Sequence, residues 1–186
     1  DQVVVVHMTA DRPGSITCSV TLDRQLNYHV WSEAPNRLVM RGTTVKFFAK
    51  AEVTTSGGMV GPSGDTSSGW NPSPGRTIVI ENADEATIVL AAATGWNSPY
   101  DQTGNPDALC DEYLAGVRGK SYQELRETHV SDHRNMFRRV SLDLDGGKMN
   151  DTPTNKRVAA VKNGANDPGL TALYFQYGRY LLMASS

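Results

Sequence analysis

The chain has 186 residues, 39% hydrophobic and 20% charged, a globular composition long enough to bury the core of one domain or of one domain plus part of another. Its 18 Lys and Arg against 20 Asp and Glu leave a net charge of -2, which offers no broad attraction to phosphate backbones or anionic lipid and argues against nucleic acid and membrane surfaces as partners. Two cysteines, Cys18 and Cys110, make no disulfide framework, and no apolar run reaches the roughly 18 residues needed to span a bilayer.

The first half reads as β-structure. Asp1 leads directly into "VVVVH", with no initiator Met or signal peptide, so the start reads as a cut through a longer polypeptide. In "SITCSVTLD", Ile16, Cys18, Val20 and Leu22 share one face of a half-buried strand, with Thr17, Ser19 and Thr21 on the other. "VKFFAKAEV" repeats the pattern, with Val45, Phe47, Ala49, Ala51 and Val53 expected inward, Lys46, Lys50 and Glu52 outward, and a tight turn at Gly57 and Gly58. "RTIVIENADEATIVLAAAT" reads as two buried strands joined at Asn82 to Glu85, because its apolar runs barely alternate. Strands at this spacing imply sheet packed on sheet, and the Gly-, Pro- and Ser-rich residues 61 to 75 read as a surface loop.

The second half changes period. Asn105 and Pro106 start a helix on which Leu109, Tyr113 and Val117 recur, and Gly119 stops it. Ser121 and Glu124 form a capping box for a second helix, with Tyr122, Leu125, His129, Met136 and Phe137 on one face. Val140, Leu142 and Leu144 alternate as a returning strand, and "GGKMNDTPTNK" is a loop leading into two further helices. The last is capped by Asp167 and Pro168, is apolar almost all round, and has no stop signal, so this end also reads as a cut. Arg179, amid "YGRYLL", needs acceptors for its five donors and is expected on a carboxylate or on helix-end carbonyls, with Gly178 admitting a close neighbour.

Short patterns that suggest chemistry carry little. His129 and His133 have the i, i+4 spacing of a zinc pair with Asp132 nearby, but Val130 stands where H-E-x-x-H requires Glu and no third ligand follows, so an interface or capping role is expected. The "GKS" at Gly119 to Ser121 lacks the first glycine of a phosphate loop, and "DLDGGKMND" places Gly146 too early for a calcium loop. Asn150 lies in a sequon, "NDT", which matters only in a eukaryotic secretory pathway. Cys18 and Cys110 read as packed positions, while Trp70 and Trp96, in or beside loops, either stack on sugar or anchor those loops to the core.

The succession "HMTADRPGSITCSVTLDR", "IENADEATIVLAAAT", "KSYQELRETHVSDHRNMFRRVSLDL", "TPTNKRV" and "DPGLTALYFQYGRYLLMASS" resembles the α-L-fucosidases of glycoside hydrolase family 95 in order and approximate spacing. The resemblance implies a multidomain β + α chain, a β-sandwich followed by a helical linker and the first helices of an (α/α)6 barrel. On that map residues 1–100 are part of the N-terminal sandwich, 101–150 the linker with its returning strand, and 151–186 the start of the catalytic barrel. Leu170, Leu173, Tyr174, Tyr177 and Leu181 then face one neighbour, with Phe175 and Leu182 facing another.

The resemblance also implies inverting removal of terminal α-L-fucose, or of the similar L-galactose, from fucosylated oligosaccharides or polysaccharides. Inversion separates the acid from the water-activating group by roughly 6.5–9.5 Å to admit the water. The family's catalytic asparagines belong to an N-L-Q-G-x-W-N stretch expected shortly after Ser186, and its acid and aspartate further on. No catalytic, cofactor-binding or metal residue is therefore assigned in this chain, and Asp143, Asp145 and Asp151 inherit no role. No cofactor is expected, and the expected partners are the glycan and the remainder of the chain's own barrel. The alternative is a noncatalytic β-sandwich module that contacts carbohydrate or packs on another domain, which rests on Trp70 and Trp96.

Overall fold

The described residues of the first half form antiparallel strands, β1 (Val4–Thr9), β2 (Ile16–Thr21), β3 (Tyr28–Glu33), β4 (Arg37–Gly42), β5 (Phe47–Ser56), β6 (Met59–Pro62), β7 (Thr77–Ala83) and β8 (Glu85–Thr94), of which β3, β4 and β6 are not read from the sequence. The computed structural model describes residues 2–33, 35–63, 75–144 and 151–185, and divides into two units, Asp1–Leu125 and Arg126–Ser186. In the first unit one sheet has the order β1-β8-β5-β4-β3 and the other β2-β7-β6. Leu38, Ala51 and Val53 of the first sheet meet Ile78 and Ile80 of the second in one core, so the unit is a β-sandwich. Ile16, Cys18 and Val20 alternate against that core, as their spacing requires.

Two sheet-to-sheet crossings share one corner. The chain leaves β5 and enters β6 through Gly57 and Gly58, at φ +67° and +64°, and a Cβ on Gly58 would lie 2.2 Å from the Glu81 carbonyl oxygen, so the tight turn needs glycine. It leaves β7 and enters β8 at Asp84, whose N–H donates to the Ser56 carbonyl at 2.8 Å and whose Oδ1 accepts from the Gly14 N–H at 2.7 Å. The two strands expected to join near Asn82 to Glu85 do so, but they lie in different sheets.

One outward assignment is reversed. Helix α1 (Pro106–Val117) covers the outer face of β5 and β8, burying Cys110 and Leu114 against Ala91, Phe48 and Val89. Lys50, expected in solvent, is 3% exposed there and ion-paired with Asp107 at 2.6 Å and Asp111 at 2.8 Å. The reason is the second cover: a sheet buried on both faces loses the alternation that a half-buried sheet shows. That also explains the unbroken apolar run of β8. Val45 lies before β5 and is exposed. Asn105 caps α1, with its side chain accepting from the Ala108 N–H, and Gly119 follows the helix at φ +81°.

Ser121 and Glu124 close the expected capping box at the start of α2 (Tyr122–Phe137), Ser121 N–H to Glu124 Oε2 at 2.7 Å and Glu124 N–H to Ser121 Oγ at 3.2 Å. Helices α3 (Thr154–Lys162) and α4 (Pro168–Ala184) complete the second unit. The returning strand does not form: residues 140–144 carry no strand and find no ladder partner among the described residues. Alternation alone does not make a strand without a neighbour to bond its backbone.

Candidate functional site

The second unit is organised around α4. Asp167 accepts from the Leu170 N–H at 2.9 Å as its N-cap, and Pro168 takes the first turn, as the sequence requires. The same carboxylate receives a two-pronged bond from Arg157 of α3, Nε to Oδ2 at 2.8 Å and Nη2 to Oδ1 at 2.7 Å, and both residues are buried. Hydrogen bonds from Arg157 hold the Asp167 carboxyl at about 2, against the opposing effect of burial and with help from the Leu170 N–H. One side chain thus starts α4 and ties it to α3.

A second tie involves α2. The Arg179 guanidinium donates to the carbonyls of Phe137 at 2.9 Å and Val140 at 2.7 Å, and to Gln176 Oε1 at 2.6 Å. It also lies over the Phe137 ring, 4.9 Å from its centroid. The expectation of helix-end carbonyls is met, at a half-buried position. Among the described residues no close neighbour meets Gly178, where a Cβ would find nothing within 4 Å.

Between α3 and α4 runs an open groove of about 630 Å³, lined by Val158, Val161, Leu170, Leu173, Tyr174 and Tyr177. Leu173, Phe175, Tyr180, Leu181 and Leu182 are also exposed, and α4 has no buried residue, so its all-round apolar surface lacks cover among the described residues.

His129 and His133 join an aromatic row. Their rings lie 6.4 Å apart, His133 stacks on Phe137 at 5.2 Å, and Tyr180 meets His133 edge-on at 5.9 Å. No third ligand joins them among the described residues, where no group of three His, Cys, Asp or Glu is placed to hold a metal. Cys110 is fully buried, its Sγ donating to the Phe48 carbonyl at 3.4 Å, and burial pushes its thiol up. Cys18 packs on the sandwich core and Trp96 is exposed. Asp143 and Asp151 are exposed. Trp70, Asp145 and Asn150 lie outside the described residues. Sequence reasoning missed the Arg157–Asp167 and Lys50–Asp107–Asp111 contacts. For the first, the only signal is that an N-cap Asp keeps a second oxygen for a donor on another helix.

Residues 1–99 match the family described as "Glycosyl hydrolase family 65, N-terminal domain", and residues 121–186 match "Glycosyl hydrolase family 95 catalytic domain". The whole chain is 31% identical, over 222 aligned positions, to "Alpha-L-fucosidase 2" of Arabidopsis thaliana, of which it covers 25%. It is 29% identical to "Probable alpha-fucosidase A" of Aspergillus niger over 58% of this chain and 15% of that protein. With "Probable alpha-fucosidase A" of Aspergillus oryzae it shares 27% identity over 59% of this chain and 17% of that one. The chain carries the family 65 N-terminal domain over more than half of its length and spans a quarter or less of the length of these relatives.

Proposed function

We propose that the chain is part of an inverting exo-glycosidase that releases terminal α-L-fucose, or the similar L-galactose, from fucosylated oligosaccharides or polysaccharides. The alignment of its whole length with a plant α-L-fucosidase carries this reading. On it, residues 1–100 serve as part of the N-terminal sandwich, 101–150 as the linker, and 151–186 as the opening of an (α/α)6 barrel. The uncovered apolar surface of α4 supports the last assignment, because an inner barrel helix must bury both flanks against later helices. The general acid and the water-positioning groups lie outside these 186 residues, and the chain supplies support for the site.

In that role Arg179 acts as a positioning residue. By holding the Phe137 carbonyl at the end of α2 and the Val140 carbonyl beyond it, Arg179 fixes the angle at which α4 delivers the following segment. The testing experiment is hydrolysis of an aryl α-L-fucoside by the whole protein, with the anomer of the released sugar followed by proton NMR, and the same assay on the 186-residue chain. First-formed β-L-fucose from the whole protein and no turnover by the chain alone are expected. First-formed α-L-fucose would refute inversion, and turnover by the chain alone would refute the placement of the catalytic groups.

A further inference from the structure

Residues Gly95 to Gly104, "GWNSPYDQTG", leave β8 and return to the start of α1 as a closed loop. Its ends touch: the Gly104 N–H donates to the Gly95 carbonyl at 3.1 Å, and a Cβ on Gly104 would sit 3.1 Å from that oxygen. Lys46 clamps the same place, Nζ to the Gly104 carbonyl at 2.7 Å. Within the loop Asp101 is the hub. Its Oδ1 accepts from Thr103 N–H at 2.9 Å and Thr103 Oγ1 at 2.7 Å, its Oδ2 accepts from Asn97 Nδ2 at 3.1 Å, and its carbonyl accepts from the N–H groups of Asn97 and Ser98 at 2.9 and 3.0 Å.

This framework holds two aromatic side chains that the first unit does not cover. Tyr100 is 99% exposed and Trp96 55%. The loop has no aliphatic residue other than Pro99; Asn97, Ser98 and Gln102 separate and flank the rings. Flat apolar faces bordered by amides and hydroxyls match a pyranose, whose C–H face is apolar and whose rim carries hydroxyl groups. The polar bonding that fixes the loop before any ligand arrives lowers the ordering cost of binding.

We infer that the Gly95–Gly104 loop is a carbohydrate-binding platform on which Trp96 and Tyr100 stack against pyranose rings of a glycan. The loop geometry and exposure carry the inference, and the choice of sugar over other flat ligands rests on the chain's membership of a glycoside hydrolase family. It does not depend on where fucose is cleaved.

The test is affinity electrophoresis of the full chain through gels containing a soluble fucosylated polysaccharide or its chemically defucosylated form, comparing wild type with Trp96→Ala and Tyr100→Ala. Thermal unfolding is recorded on the same samples. Each substitution is expected to weaken retardation by both polymers about tenfold while leaving the unfolding midpoint unchanged. Wild-type chain that is retarded by neither polymer, or variants retarded as strongly as wild type, would overturn the platform. So would variants that lose stability without losing affinity, which would make the loop a packing contact with another part of the protein. Because the defucosylated arm needs no cleavable sugar, failure of the fucosidase reading leaves this measurement intact.

Discussion

Replacing Lys50 with Met tests the contact that joins α1 to the sandwich. The aliphatic stem of Lys50 is buried between β5 and α1, and Met fills much of that volume without leaving a cavity. What disappears is the pair of bonds from Nζ to Asp107 and Asp111, at 2.6 and 2.8 Å. Burial opposes the charge on Lys50, yet the hydrogen bonds to the two carboxylates outweigh it and hold the amine above its ordinary value. Charge-assisted bonds contribute about 1.5–3 kcal/mol each when both partners are buried. Here both carboxylates are 50% exposed and recover much of that from water, so the net loss is about 2 kcal/mol. For a chain of this size that lowers the midpoint by roughly 4–8 °C.

All three tryptophans, Trp31, Trp70 and Trp96, belong to the first unit, so tryptophan fluorescence during thermal or urea unfolding reports on it alone. Lys50→Met should destabilise this transition, and should cost much less when Asp107→Asn and Asp111→Asn are already present. A single variant within about 0.5 kcal/mol of wild type would refute the reasoning, because desolvation of the buried amine would then cancel both bonds.

Gly58→Ala places a Cβ at φ +64° against backbone and should destabilise the sandwich by about 2 kcal/mol or more in the same assay, whereas Gly61→Ala, with nothing within 4 Å, should change it by less than about 0.5 kcal/mol. The folded-state value of Asp167, about 2, lies below its ordinary 3.8, so its contribution is fully present above pH 3.8 and is lost as pH falls through about 2. Far-UV circular dichroism should therefore show acid loss of α3 and α4 helicity over that window, and Asp167→Asn should flatten this pH dependence while lowering stability at neutral pH. Arg179→Met should lower turnover of the whole protein at least tenfold more than its folded fraction falls, with Arg179→Lys restoring little of it, whereas activity falling only in step with folding would leave Arg179 a structural clamp.

The readings that held were those in which a segment carries its own constraint. Asn105–Pro106, Ser121–Glu124 and Asp167–Pro168 satisfy backbone groups within a few residues of themselves, so the helix starts were legible without knowing what the helices touch. Gly57 and Gly58 were legible for the same reason. Lys50 failed because its cover arrives from Asp107 and Asp111, more than fifty residues later, and period-2 alternation in one strand records only the face that faces its own core. Val140, Leu142 and Leu144 failed in the opposite way: they alternate, and no described strand lies beside them.

Arg179 stands between these cases. Nothing local names its partners, yet a guanidinium in an apolar helix must find oxygen acceptors, and the end of any neighbouring helix offers carbonyls with no partner of their own. The chemical class of the contact was therefore legible while its address, Phe137 and Val140, was not. The same reasoning extends to α4. The capping chemistry that starts α4 at Asp167 also fixes it to Arg157 of α3, so one side chain sets both where this apolar helix begins and which helix it is tied to.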